Sequence, residues 1–143
     1  MPTAQTRELS EDELDLIRHT LVREIGNLQA IYLFGSLARA EARPDSDVDL
    51  GILAHEPLAP ERRFDLAQKL AAALGRDVDL VDLRSASAVL RMQVIGRGRP
   101  IYRLPEAEVT HFEDFVFSDY ARLNEERAGI LEDVARRGSI HGG

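Results

Sequence analysis

Five consecutive residues, Ala30-Ile31-Tyr32-Leu33-Phe34, are apolar on both parities. A strand sends alternate side chains to opposite faces, so this run demands cover above and below and predicts a strand between two helical layers. The flanking patterns supply those layers. Ser10-Glu11-Asp12-Glu13 reads as a capping box, and Leu14, Ile17, Leu21 and Ile25 follow at helical spacing up to a stop at Gly26. After Pro57 and Pro60, a second helix is expected to turn Phe64, Leu66, Ala67, Leu70 and Leu74 inward, with Gly75 as its cap. Ser85 or Ser87 caps a third, carrying Val89, Leu90, Val94 and Ile95 and ending at Gly96. Pro100-Ile101-Tyr102 reads as a short edge strand because proline donates nothing to a ladder.

From Pro105 to Arg137 a helical period returns through Val109, Phe112, Val116, Leu123, Ile130 and Val134, and Phe115, Phe117 and Tyr120 widen its apolar face. The residues from Gly138 onward are expected to be loose. The elements alternate as in an α/β fold: a small mixed sheet flanked by helices with a long C-terminal helix. A chain of 143 residues fits a single domain, 1–143, with a core over about 10–103 and the last helix over about 105–137.

The chemistry concentrates in Asp47-Val48-Asp49. Val48, Leu50 and Ile52 alternate with Asp47, Asp49 and Gly51, so the strand carries two carboxylates on one face. Like charges this close repel, a divalent cation relieves the repulsion, and oxygen ligands suit Mg²⁺, which also takes substrate phosphates. Ten residues upstream, Gly35-Ser36 forms a turn at the start of a short helix running to about Ala42, where backbone N–H groups and a hydroxyl face an anion. Arg39 lies on the same helical face as Ser36, within reach of such an anion. Asp77 and Asp79 alternate with Val78 and Leu80, which offers a third carboxylate on a neighbouring strand; Asp82 has the other parity and is set aside.

Gly35-Ser36-x10-Asp47-x-Asp49, within Phe34-Gly35-Ser36-Leu37-Ala38-Arg39 and Ser46-Asp47-Val48-Asp49-Leu50, resembles the polymerase-β-like nucleotidyltransferase superfamily. More narrowly, the chain is similar to the minimal nucleotidyltransferase (MNT) antitoxins encoded beside HEPN-domain RNase toxins. The resemblance spans about Leu14 to Tyr102 and departs from the family at Ala40, where glycine is frequent. It implies that Asp47, Asp49 and Asp79 are catalytic and hold two Mg²⁺ ions, and that Gly35, Ser36, Arg39 and Ser46 bind the nucleotide. It also implies ATP as substrate, a toxin tyrosine as acceptor of AMP and a hetero-oligomer with the HEPN toxin, while the lack of cysteine fits a cytoplasmic location.

Two other readings compete. A stoichiometric antitoxin would neutralise by binding alone, with the wide apolar face at Phe112, Phe115, Val116 and Tyr120 as its contact. A small-molecule nucleotidyltransferase would ordinarily carry a further substrate domain, and only some 40 residues follow the last expected strand. Composition narrows the rest. The net charge of −7 makes a poor general nucleic-acid binder, and no apolar run approaches a membrane span. The chain has no cysteine, and His19, His55, His111 and His141 lack metal-ligand spacing. Arg91, Arg97, Arg99 and Arg103 read as a solvated face.

Overall fold

The computed structural model describes residues 8–35 and 47–141. The short helix expected after Gly35, with Ser36, Arg39, Ala40 and Ser46, lies outside the described residues. The elements run α1 (Glu11–Glu24), β1 (Leu28–Phe34), β2 (Val48–Ala54), α2 (Pro60–Leu74), β3 (Val78–Asp82), α3 (Ala88–Arg97), β4 (Arg99–Arg103) and α4 (Ala107–His141). The strands form one mixed sheet in the order β3-β2-β1-β4. Antiparallel pairs join β1 to β2 and to β4, and β2 runs parallel to β3. The proline-bearing β4 lies at an edge, as its lost donor requires.

The two-sided burial expected of β1 is met. Ile31 and Leu33 enter a core with Leu14, Ile17 and Leu21 of α1 and Leu66 and Leu70 of α2. Ala30 and Tyr32 enter a second core with Val94 of α3 and Val109, Phe112 and Val116 of α4. The sheet therefore separates an α1/α2 layer from an α3/α4 layer. Within the first, Ser10 and Glu13 complete the capping box, the Glu13 N–H donating to Ser10 Oγ at 3.1 Å. Gly75 ends α2 in the left-handed region.

Several expectations are corrected. Phe64 points outward at 63% exposure, because Arg63, Ala67, Leu70 and Leu74 occupy the inward row of α2 and Phe64 falls beside it. On α3, Val94 is buried, Leu90 and Ile95 pack partly buried against the same core and Val89 is exposed, and the helix runs past Gly96 to Arg97. The widened apolar face expected of α4 is present and leaves Phe115 and Phe117 exposed, with Leu123, Ile130 and Val134 beyond what the sheet covers. Helix α4 continues through Gly138 to His141 where a loose tail was expected. Arg91 is part of the packing rather than a solvated face. It donates to the carbonyls of Leu83 at 2.7 Å and Arg84 at 2.9 Å, and Arg84 and Arg91 both lie over the Phe112 ring.

Helix α3 crosses close to β2 because Gly51 has no side chain: a Cβ there would stand 2.5 Å from Val94 Cγ1. Gly51→Val forces the two elements apart, and such overpacking costs about 1–3 kcal/mol. Urea denaturation of this variant is expected to show a lower midpoint with an unchanged m-value.

Candidate active site

The carboxylates meet on the α3/α4 side of the sheet, where the row Asp49, Gly51, Leu53 of β2 faces away from the Leu50 and Ile52 core. The parallel register sets Asp49 directly beside Asp79, and the antiparallel register sets it beside Phe34. The Val48 N–H donates to the Asp77 carbonyl at 2.9 Å, which locks the two strand starts together. Asp47 precedes β2 and is exposed, Asp79 is exposed, and Asp49 is half-buried between them.

This placement is electrostatically costly. Burial, then the charge of Asp79, then that of Asp47 push the Asp49 carboxyl up to about 6. A site made of three acids whose mutual influence is repulsive fits a divalent cation with oxygen ligands. Gly35 fits the same arrangement. Its φ of 77° lies in the left-handed region, and a Cβ there would overlap Asp49 Oδ2. The chain at the end of β1 thus passes directly over the Asp49 carboxylate, and only glycine permits that approach.

Asp77 and Asp82 stand apart from this group. Asp77 is exposed just before β3, and the charges acting on Asp49 come from Asp79 and Asp47. Asp82 is buried and structural, accepting from the Leu58 N–H at 2.8 Å, the Arg84 N–H at 3.0 Å and the Ser85 hydroxyl at 2.9 Å. Its opposite parity to Asp79 is what turned it inward.

Two groupings were invisible in the sequence. Outside β3 a cleft is lined by Asp79, Arg63 and the exposed Phe64, and Arg63 Nη1 donates to the Leu80 carbonyl at 3.3 Å. No local pattern relates α2 to the strand after it at this level of detail. The second is His55, Glu106 and Glu108, whose ligand atoms lie within 4.8 Å of one another, although the histidines show no ligand spacing. His55 Nδ1 pairs with Glu108 Oε1 at 3.1 Å, and Gln29 also donates to Glu108.

Comparison with known proteins gives four findings. The family model described as Polymerase beta, Nucleotidyltransferase matches residues 16–107. The chain is 44% identical over 110 residues to the protein adenylyltransferase MntA of Shewanella oneidensis, covering 77% of this chain and 78% of that protein. It superposes with a TM-score of 0.77 and 42% identity on a chain from the crystal structure of a toxin–antitoxin with AMP-PNP, covering 89% of this chain and 99% of that one. It is also similar to a chain from the structure of a tri-AMPylated Shewanella oneidensis HEPN toxin in complex with MNT antitoxin, at a TM-score of 0.74 and 39% identity, covering 89% of this chain and 99% of that one.

Because folding raises the Asp49 pKa, the folded state binds a proton more tightly than the unfolded one between about pH 4 and 6. The resulting penalty on stability is complete above pH 6 and absent below pH 4. In chelator, Asp49→Asn is expected to raise the melting temperature at pH 8, with the gain shrinking as pH falls toward 4; melting scans across that range check it.

Proposed function

The chain belongs to the polymerase β nucleotidyltransferase family, and from that premise we propose that it is a cytoplasmic protein adenylyltransferase. As a single minimal domain over 1–143, it moves AMP from ATP onto a tyrosine hydroxyl of a HEPN-family RNase toxin and so serves as that toxin's antitoxin. The observation that carries the reading is the parallel register of Asp49 with Asp79, with Asp47 close enough to perturb the same carboxyl. The 44% identity to a protein adenylyltransferase, and the likeness to toxin–antitoxin chains solved with AMP-PNP or an AMPylated toxin, support the choice of donor and acceptor.

In this reading Asp47, Asp49 and Asp79 hold two Mg²⁺ ions, and Gly35, Ser36, Arg39 and Ser46 hold the triphosphate. Bound metal would supply positive charge to the attacking and leaving oxygens. The tyrosine oxygen forms a bond to the α-phosphorus in line with the bridging oxygen of the β-phosphate. That bridging bond breaks, and pyrophosphate departs with the electron pair. Asp79, exposed on the edge strand, accepts the tyrosine proton. The remaining work is positioning, since the enzyme forms no covalent intermediate. AMP on the toxin tyrosine adds bulk and negative charge where RNA phosphates would bind, which links the modification to silencing.

Intact-protein mass spectrometry of the adjacent gene's HEPN product, incubated with this protein, Mg²⁺ and ATP, tests the proposal. The expected result is a mass gain in AMP-sized steps, lost to background with Asp47→Asn or Asp49→Asn. A tight complex without mass gain would overturn the enzyme and leave a binding antitoxin.

A further inference from the structure

Two sides of the Asp49 carboxylate are taken. Gly35 passes over it from β1, and next along the same face Gly51 is pressed against Val94 of α3. The third side is β3, the outermost strand, which carries Asp79. A hydroxyl that meets Asp79 therefore arrives across the outer edge of β3, and the ladder leaves that edge open. The Val48 N–H donates to the Asp77 carbonyl at 2.9 Å and the Leu83 N–H to the Ile52 carbonyl at 3.0 Å, so β2 is served by the backbone groups of Asp77, Asp79, Val81 and Leu83. In a parallel pair the intervening residues turn theirs the other way, and the N–H and C=O of Val78 and Leu80 face outward.

The two edges of the sheet are treated differently. At β4, Pro100 has no donor and the Ile101 carbonyl accepts from Arg18 Nε at 2.6 Å, which blunts the edge. At β3, Arg63 Nη1 covers the Leu80 carbonyl at 3.3 Å, and the Val78 N–H and C=O and the Leu80 N–H face out beside Asp79. A groove runs along them. Its first part is lined by Val78, Leu80, Phe64 and Ala67, its second by Val81 and Leu90, and Arg63 borders both. Phe64 leaves 63% of its surface exposed there.

A strand laid beside β3 turns the residue opposite Asp79 to the α3/α4 face, where Asp49 and Asp79 lie. It turns that residue's neighbours in the chain to the α1/α2 face, where Phe64 lies. Backbone pairing at a sheet edge gives affinity, and pockets for alternate side chains give specificity. We infer that the outer edge of β3 is the acceptor subsite: the stretch of toxin that carries the acceptor tyrosine lies extended along Val78–Leu80, with the tyrosine on the Asp79 face and an apolar neighbour seated against Phe64. Arg63, by occupying the Leu80 carbonyl, ends the pairing there and so fixes the register that brings the tyrosine to Asp79. The inference rests on the adenylyltransferase reading above, and it adds where the acceptor lies and in which conformation.

Two measurements on the full chain with the HEPN product of the adjacent gene test it. Steady-state AMP addition compares wild type with Phe64→Ser, whose melting temperature is expected to be unchanged because Phe64 lies outside both cores. Its KM for the toxin is expected to rise about tenfold, the loss typical of truncating a central interface aromatic, with kcat and the KM for ATP unchanged. Hydrogen exchange over residues 76–84, read by mass spectrometry with Mg²⁺ and AMP-PNP present, is expected to slow when toxin is added, as the Val78 and Leu80 amides gain acceptors. A wild-type KM for the toxin in Phe64→Ser, or unslowed exchange over 76–84 in a formed complex, would overturn the subsite, while AMP addition by wild type would leave the activity standing. A lower kcat at unchanged KM would assign Phe64 to the rigidity of the carboxylate site and overturn the subsite too. Absence of AMP addition by wild type would overturn the activity, and the subsite with it.

Discussion

Three carboxylates that repel one another are held together by the register of two parallel strands, and the rest of the structure serves to hold that register. Asp49 cannot retreat from Asp79, because Leu50 and Ile52 on the same strand are locked into the α1/α2 core and Gly51 is pressed against Val94 of α3. A slip of one residue would send the acids into the apolar core and the core residues into solvent. The energy of two hydrophobic layers thus opposes a local electrostatic cost, which appears directly in the raised pKa of Asp49. Strain of this kind is characteristic of places where charge is meant to be compensated by something that binds.

A second network ties α4 to the sheet. The hydroxyl of buried Tyr32 donates to Glu113 Oε2 at 2.6 Å, and Arg103 of β4 pairs with Glu113 Oε1 at 2.8 Å. Burial and the Glu113 carboxylate hold the Tyr32 hydroxyl in its neutral form, well above the usual phenol range. Arg103 in turn holds Glu113 below the usual carboxylate range. Phe112, one residue earlier, lies under both Arg84 and Arg91, whose remaining donors reach the carbonyls of Ala54, Leu83 and Arg84. The proximal third of α4 is therefore part of the α/β body, and the distal part extends from a fixed base.

What could be read from the sequence was whatever depends on residues close in the chain. The two-sided apolar run of β1, the alternation that turns Asp47 and Asp49 to one face, the capping box at Ser10 and the edge position of Pro100 are all local statements. The adjacency of Asp79 to Asp49 followed from a parallel pairing that alternation alone does not specify, and the family resemblance supplied it. Contacts between distant residues were unreadable: the arginine pair on Phe112, Glu113 with Tyr32 and Arg103, and His55 with Glu106 and Glu108. Phe64 was misassigned because apolar periodicity tolerates an error of one position on a helix. The long apolar stripe of α4 was legible as a stripe, and what covers it was not. Periodicity reveals that a face is apolar, but it cannot reveal whether the same chain provides anything to cover it.

That last distinction separates two tasks along the chain. The family match ends at residue 107, where α4 begins, so Asp47, Asp49 and Asp79 all fall inside it and the distal stripe falls outside. A nucleotidyl site needs rigidity, since its carboxylates must stay close against their own repulsion, and a sheet between two cores provides it. The distal stripe of α4 is covered by no other element among the described residues. The helix is anchored at Glu113 and extends 25 residues beyond Val116, its last buried position among the described residues. Changes in the distal half of α4 leave the β2–β3 register and the two cores in place, because Val116 is the last buried residue of the helix among the described residues.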